Sequence, residues 1–124
     1  LADLARRSGP LVTVGALPQG RYDETVEVTA FYVAAESVTN ALRHAPGATV
    51  EIGAVDHGDM LVVRVADDGP GGALIANRYL EEGSGLAGLR DRVSAVGGSL
   101  TVKSAPQRGT TVVARLPLSA SAES

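Results

Sequence analysis

Two pairs of alternating, β-branched segments follow one another too closely to be anything but antiparallel. "ATVEIGAV" (48–55) and "MLVVRVA" (60–66) are separated only by "DHGD", and "SLTVKS" (99–104) and "TTVVARLPL" (110–118) only by "APQRG". Parallel neighbours need a crossover of about a dozen residues, whereas links this short make hairpins. Ahead of them "LVTVGAL" (11–17) also alternates and reads as a strand, followed by a loop, "LPQGRYD". Asp23 is then positioned to cap a long helix that runs to about Ala45, where Pro46-Gly47 stops it. Leu86, Leu89, Val93 and Val96 recur at helical spacing, and Gly97-Gly98 ends that second helix. Leu1, Leu4 and Ala5 read as the last turns of an earlier helix that stops before Gly9-Pro10. Between hairpin and second helix, 73–84 has weak periodicity and reads as a mobile loop with a short helical piece. The order predicts an α+β chain and a two-layer α/β sandwich. Its sheet should be mixed, mostly antiparallel, with about five strands on about three helices, unlike a doubly wound parallel sheet.

A chain of 124 residues is long enough for one core and too short for two. Phe31, Tyr22, Tyr32 and Tyr79 are its only aromatic residues, so that core must be built from Val, Leu, Ile and Ala. The lack of cysteine excludes disulfides and thiolate metal sites and fits a reducing compartment. A net charge of −3 without a Lys/Arg cluster offers no footprint for nucleic acid. No apolar run is long enough to span a membrane, and "LADLARRSG" lacks the pattern of a signal peptide. A chain opening on Leu reads as part of something longer, and "SASAES" as a frayed end.

At roughly 100° per residue, the long helix divides into two arcs. Ala30, Phe31, Ala34, Val38, Ala41 and Leu42 cover the side expected to pack on the sheet. Glu36, Asn40, Arg43 and His44 fall together on the other, within about a quarter-turn. Such a stripe is either a solvated face or a row of groups facing a ligand. A carboxylate, a carboxamide oxygen, a guanidinium and an imidazole suit a Mg²⁺-bound polyphosphate, with hard oxygen for the metal and cations for phosphate. The spacing does not suit zinc.

Two glycine clusters follow. "VADDGPGG" (65–72) ends the returning strand and is open to three readings: a turn, a metal site or a nucleotide pocket. Asp67 and Asp68 are adjacent, so on a strand they point opposite ways, which argues against a joint acid–base pair. One carboxylate there could accept a hydrogen bond from an exocyclic amine, with glycines making room for a flat base. "GSGLAGL" (83–89) opens the second helix, whose first N–H groups are unsatisfied donors suited to phosphate. It is neither a Walker A motif nor a dinucleotide fingerprint.

"ESVTNALRHA", "DDGPGG", "GSGLAGLRDRV" and "GTTVVARLP", in that order, resemble the N box, the two glycine boxes and the closing strand of the gyrase–chaperone–histidine kinase–MutL ATPase superfamily. Within it the chain is most similar to the catalytic ATP-binding domain of sensor histidine kinases of the nitrate-sensor type, over about 11–117. The resemblance implies the Bergerat ATP-binding fold, with ATP and Mg²⁺ as cofactors. By it, Asp67 would hydrogen-bond the adenine amino group, and Gly69 and Gly71 would shape the base pocket. Asn40 would be the Mg²⁺ ligand, and Glu36 the acid that positions or deprotonates the accepting group. Arg43 and His44 lie where family members contact phosphate. Gly83, Gly85, Leu86 and Gly88 would form the phosphate-side loop and lid hinge, and Thr110 matches a Thr near the base. Asp68, Arg90 and Arg92 read as structural or solvated.

The segment between Gly72 and Gly83 is short and lacks the phenylalanine of many sensor kinases, as is common in the nitrate-sensor type. The only histidines are His44 and His57, and the family's phosphoacceptor lies on an upstream dimerisation helix. Residues 1–9 are therefore expected to end that connection, 10–118 to be the ATP-binding domain, and 119–124 a flexible tail. The implied function is transfer of the γ-phosphoryl of ATP to a histidine outside this chain, for relay to a response regulator. The partners are the dimerisation domain and that regulator, with a monomeric domain in a homodimeric, cytoplasmic parent portion. An anti-sigma-factor serine kinase and a nucleotide-binding module without kinase activity are the alternatives. The run "GGSLTVKSAPQRGTTVVARLP" favours the sensor kinase over the first, and the intact Glu36, Asn40 and Asp67 weigh against the second.

Overall fold

A computed structural model describes residues 12–15, 17–18, 22–44, 47–69 and 85–118. Their elements are β1 (Val12–Val14), α1 (Glu24–His44), β2 (Val50–Asp56), β3 (Met60–Asp67), α2 (Gly85–Ala95), β4 (Ser99–Ser104) and β5 (Thr110–Pro117). The strands form one sheet in the order β1-β2-β3-β5-β4. β1 runs parallel to β2 across the α1 crossover, and the other neighbours are antiparallel. This is the α+β class expected, a mixed five-stranded sheet with helices on one face. Two helices lie among the described residues. The helix ending near Ala5, the short helical piece in 73–84 and the tail from 119 fall outside them.

Local chemistry sets the element ends. Asp23 caps α1: its Oδ2 accepts from the Thr25 N–H (3.2 Å) and its carbonyl from the Glu27 N–H (3.0 Å). The α2 terminus closes as a Schellman motif. Gly98 N–H donates to the Val93 carbonyl and Gly97 N–H to that of Ser94, with Gly97 at φ 82°. Gly98 has a further constraint, because a Cβ there would strike the Arg115 carbonyl and the Val93 side chain. At the β2–β3 turn, Asp56 accepts from the Gly58 N–H and from the Tyr22 hydroxyl, each at 2.7 Å. These bonds hold the Asp56 carboxyl below its usual range, and the bond to Asp56 raises Tyr22.

β1 is shorter than expected. Gly15 still donates to the Ile52 carbonyl (2.7 Å), but the segment holding Leu17 and Pro18 is no longer paired. Pro18 carries no N–H to extend the ladder.

Every second residue of the central strands faces the helices. Leu61, Val63 and Val65 of β3, Val112, Ala114 and Leu116 of β5, and Val50 and Ile52 of β2 are all buried. Val26, Ala30 and Val33 of α1 and Leu89 and Val93 of α2 pack on the β3–β5–β4 side. Ala34, Val38 and Ala41 pack on Val12, Val50, Ile52 and Val65. Val33 and Val93 are fully enclosed, and burying each contributes about 2 kcal/mol.

The helical arcs need correction. Phe31, expected in the core, is 39% exposed, while Val33 and Ser37 are buried. The reason is α2, which packs along Val26, Ala30 and Val33 and turns the buried arc of α1 toward them. Phe31 is left at the margin, where it lines an open apolar groove of about 310 Å³ with Leu17, Tyr22 and Leu61. Its ring meets Tyr32 edge-on (6.0 Å), and the Arg92 guanidinium of α2 stacks over Tyr32 at 4.4 Å.

Candidate functional site

The apolar, helix-facing rows of three strands end in polar residues, all at the same end of the sheet. β3 closes its series on Asp67, β5 opens on Thr110 and β4 closes on Ser104. The register makes them neighbours: Val50 pairs with Asp67, Asp67 with Thr110, and Thr110 with Ser104. Asp67 is 8% exposed and Thr110 only 2%. Asp67 Oδ1 accepts from the Gly69 N–H (2.9 Å), so the glycine after the strand folds back onto the carboxylate. The Thr110 hydroxyl lies 2.9 Å from that of Ser104.

Asp68 has a separate fate. Its carboxylate accepts from both the backbone N–H (2.8 Å) and the hydroxyl (2.7 Å) of Thr49, and its own N–H donates to the Thr49 carbonyl. Those hydrogen bonds hold the exposed Asp68 carboxyl below the usual carboxylate range. The two adjacent acids thus serve different ends, one buried in the row and one tying β3 to the start of β2.

Gly109 completes this end. Its φ is 77°, and a Cβ on it would collide with the Asp67 carbonyl. Only glycine lets β5 start this close to Asp67.

α1 brings its last turns to the same end, since its C-terminal half packs on Val50 and Val65. Asn40 is 2% exposed, with Nδ2 donating to the Glu36 carbonyl at 2.8 Å. That bond uses one of the two amide N–H donors and does not involve the carboxamide oxygen. Glu36 is half-buried and Arg43 exposed. The polar stripe is therefore not a uniformly solvated face: Asn40 belongs to the edge of the buried arc. Ser37, one turn before it, is fully buried with no hydrogen-bond partner for its Oγ.

The second glycine cluster opens α2. Its first turn carries no acid, whereas that of α1 holds Glu24 and Glu27. Gly85 is its first residue, and Gly88 is exposed with nothing within 4 Å of an added Cβ. A glycine in a helix costs about 0.5–1 kcal/mol relative to alanine, and packing does not account for this one.

Residues 25–120 match the family of histidine kinase-, DNA gyrase B- and HSP90-like ATPases. The chain belongs to that family. This ATPase domain is 28% identical over 109 residues to the sensor protein VraS of Staphylococcus aureus (strain COL), covering 88% of this chain and 31% of that protein. It is 27% identical, over the same shares, to VraS of Staphylococcus haemolyticus. The chain therefore spans about a third of these relatives. The histidine kinase domain of the Erythrobacter litoralis EL346 blue-light activated kinase superposes with a TM-score of 0.77 at 25% identity, over 94% of this chain and 57% of that one.

Of the residues singled out in the sequence, the ATPase domain brings Asp67, Gly69 and Thr110 together at one sheet end, with Asn40 and Glu36 on the helix above. Gly71 and Gly83, and the side chains of His44 and Leu86, lie outside the described residues. Arg90 is exposed, and Arg92 is the partner of Tyr32. Ser104 and Gly109 were not anticipated. A signal existed: "SLTVKS" alternates, so Ser104 falls on the apolar face with Leu100 and Val102 and is polar where that face should be apolar. Among the described residues no cluster of three His, Cys, Asp or Glu side chains could hold a metal unaided, and no helix is long and apolar enough to cross a membrane.

Proposed function

We propose that this ATPase domain is the catalytic ATP-binding part of a sensor histidine kinase. In this reading it binds ATP with Mg²⁺ and donates the γ-phosphoryl to a histidine on a dimerisation domain, for relay to a response regulator. The observation that carries it is the buried Asp67, aligned with Thr110 at the sheet end over which Asn40 is also buried.

Asp67 accepts a hydrogen bond from the adenine amino group; its carboxylate is oriented by the Gly69 N–H, and Gly109 lies against its backbone. Gly69 and Gly71 give the flat ring access. Arg43 and His44 approach the phosphates from α1. As the resemblance implies, Gly83, Gly85, Leu86 and Gly88 would serve the phosphate side, and the unsatisfied N–H groups and dipole at the start of α2 favour an anion. Glu36 positions or deprotonates the accepting imidazole. The protein's share of the chemistry is positioning and charge neutralisation.

The residues present fit Mg²⁺. The free group of Asn40 is a hard oxygen, and Mg²⁺ at polyphosphate sites takes one or two protein oxygens with the rest from phosphate and water. Bound there, the ion would neutralise phosphate charge and fix the geometry of the chain.

The nitrate-sensor subtype, the homodimeric parent and a cytoplasmic site of action belong to the same reading. The short segment between the glycine boxes supports the first, and the other two are what the sequence resemblance implies. The test is to incubate the protein that carries this chain and its upstream segment with γ-labelled ATP. Label on histidine, lost in acid and kept in base, is the expected result. Acid-stable label on serine would replace this reading with the anti-sigma-factor kinase.

A further inference from the structure

We infer that Ser37 is a further binding residue of the site. Its buried hydroxyl has no partner in the protein and is satisfied by the bound nucleotide, on the nucleoside side of Asn40. This assignment rests on the nucleotide reading above and deepens it.

Ser37 is 1% exposed, and its Oγ makes no hydrogen bond. A helical serine or threonine can turn its hydroxyl to the carbonyl four residues back. Thr29, also on α1 and also buried, does so, donating to the Thr25 carbonyl at 2.7 Å. Ser37 leaves that outlet unused. A buried hydroxyl without a partner carries its full desolvation penalty, and alanine would be the better helix former there. Ala34 and Ala41, on the same face of α1, show that this face accepts alanine. Serine at 37 is therefore a cost that the fold itself does not recover.

The position of Ser37 says where it is recovered. At roughly 100° per residue, Ser37 lies near the middle of the buried arc of α1, Asn40 at its edge and Glu36 beyond that edge. Val33, one turn before Ser37, packs on the β3–β5–β4 side, and Ala34, Val38 and Ala41 pack on the β1–β2–β3 side. Ser37 thus stands where the two apolar clusters meet, and neither offers it a hydrogen bond. One turn further along α1, Ala41 shares a cluster with Val50, the register neighbour of Asp67. Polar chemistry begins only there, at the sheet end that forms the site. Asn40 and Glu36 serve metal and phosphate from the outer side of the helix in the reading above. A neutral hydroxyl on the sheet side, able to donate and to accept, suits the uncharged nucleoside.

The test is calorimetric titration of the native chain, Ser37→Ala and Ser37→Cys with ATP in Mg²⁺ and with ADP in chelator, beside melting curves without nucleotide. Ser37→Ala should melt at or above the native temperature, because its hydroxyl bonds to nothing in the protein. Its affinity for both nucleotides should fall about three- to tenfold, the loss of one neutral hydrogen bond. Ser37→Cys nearly keeps the volume but has only a weak donor. It should show the same loss, which separates hydrogen bonding from packing and keeps the test decisive if Ser37→Ala does not fold. Native affinity in the folded variants, or a loss that appears only with Mg²⁺, overturns the inference and leaves the nucleotide reading intact. A Ser37→Ala chain that melts well below the native one without nucleotide overturns it too, since the hydroxyl then has a partner in the protein. A native chain that binds neither nucleotide overturns both.

Discussion

Gly109 and Asp67 are in backbone contact: the start of β5 lies so near the Asp67 carbonyl that a methyl group on Gly109 has no room. The same glycine sits at φ 77°, where an L side chain is strained. This end of the sheet is thus held by backbone, and a residue with no side chain is the point where it tolerates least.

Gly109→Ala should therefore lose about 2–4 kcal/mol of stability, from the positive φ and the collision together. Urea denaturation measures it. ATP affinity should fall as well, because the collision falls on Asp67.

Asp68 should affect stability and its pH dependence while leaving nucleotide affinity unchanged. Its hydrogen bonds to Thr49 depress its carboxyl in the folded chain. A depressed carboxyl stabilises the fold above its unfolded pKa, and that contribution is lost as pH falls through the folded pKa. Asp68→Asn should lower the melting temperature near neutral pH, and the gap to the native chain should narrow toward about pH 3. Melting curves across that window and one ATP titration check both halves.

Asn40→Ala should weaken ATP binding on the order of tenfold with Mg²⁺ and much less without it, the loss expected for one bond to a charged partner. Titrations in Mg²⁺ and in chelator separate the two. Equal losses would assign Asn40 to packing instead of metal.

Gly88→Ala should move stability and binding in opposite directions. The exposed helix position has space for a methyl, so the chain without nucleotide should gain about 0.5–1 kcal/mol. ATP affinity should drop if, as proposed, the backbone there comes close to phosphate. A gain in both would make Gly88 incidental.

The element order was legible because each signal is local: alternation for the strands, Asp23 for a helix start, Gly97-Gly98 for a helix end. Asp67 and the glycine boxes were legible for the same reason, since they are contiguous in sequence. What was missed depends on partners distant in sequence. The exposure of Phe31 and the burial of Asn40 follow from α2 packing along α1, and the periodicity of one helix contains no information about its neighbour. Ser104 and Gly109 acquire their importance only through the register that sets β5 between β3 and β4.

The most direct test is the affinity of the native chain and of Asp67→Asn for ATP with Mg²⁺, by calorimetry, beside their melting curves. The native chain should bind saturably, and Asp67→Asn should bind at least about tenfold more weakly while melting as a folded domain. Equal affinity for ATP in the two folded proteins would contradict the placing of adenine at Asp67.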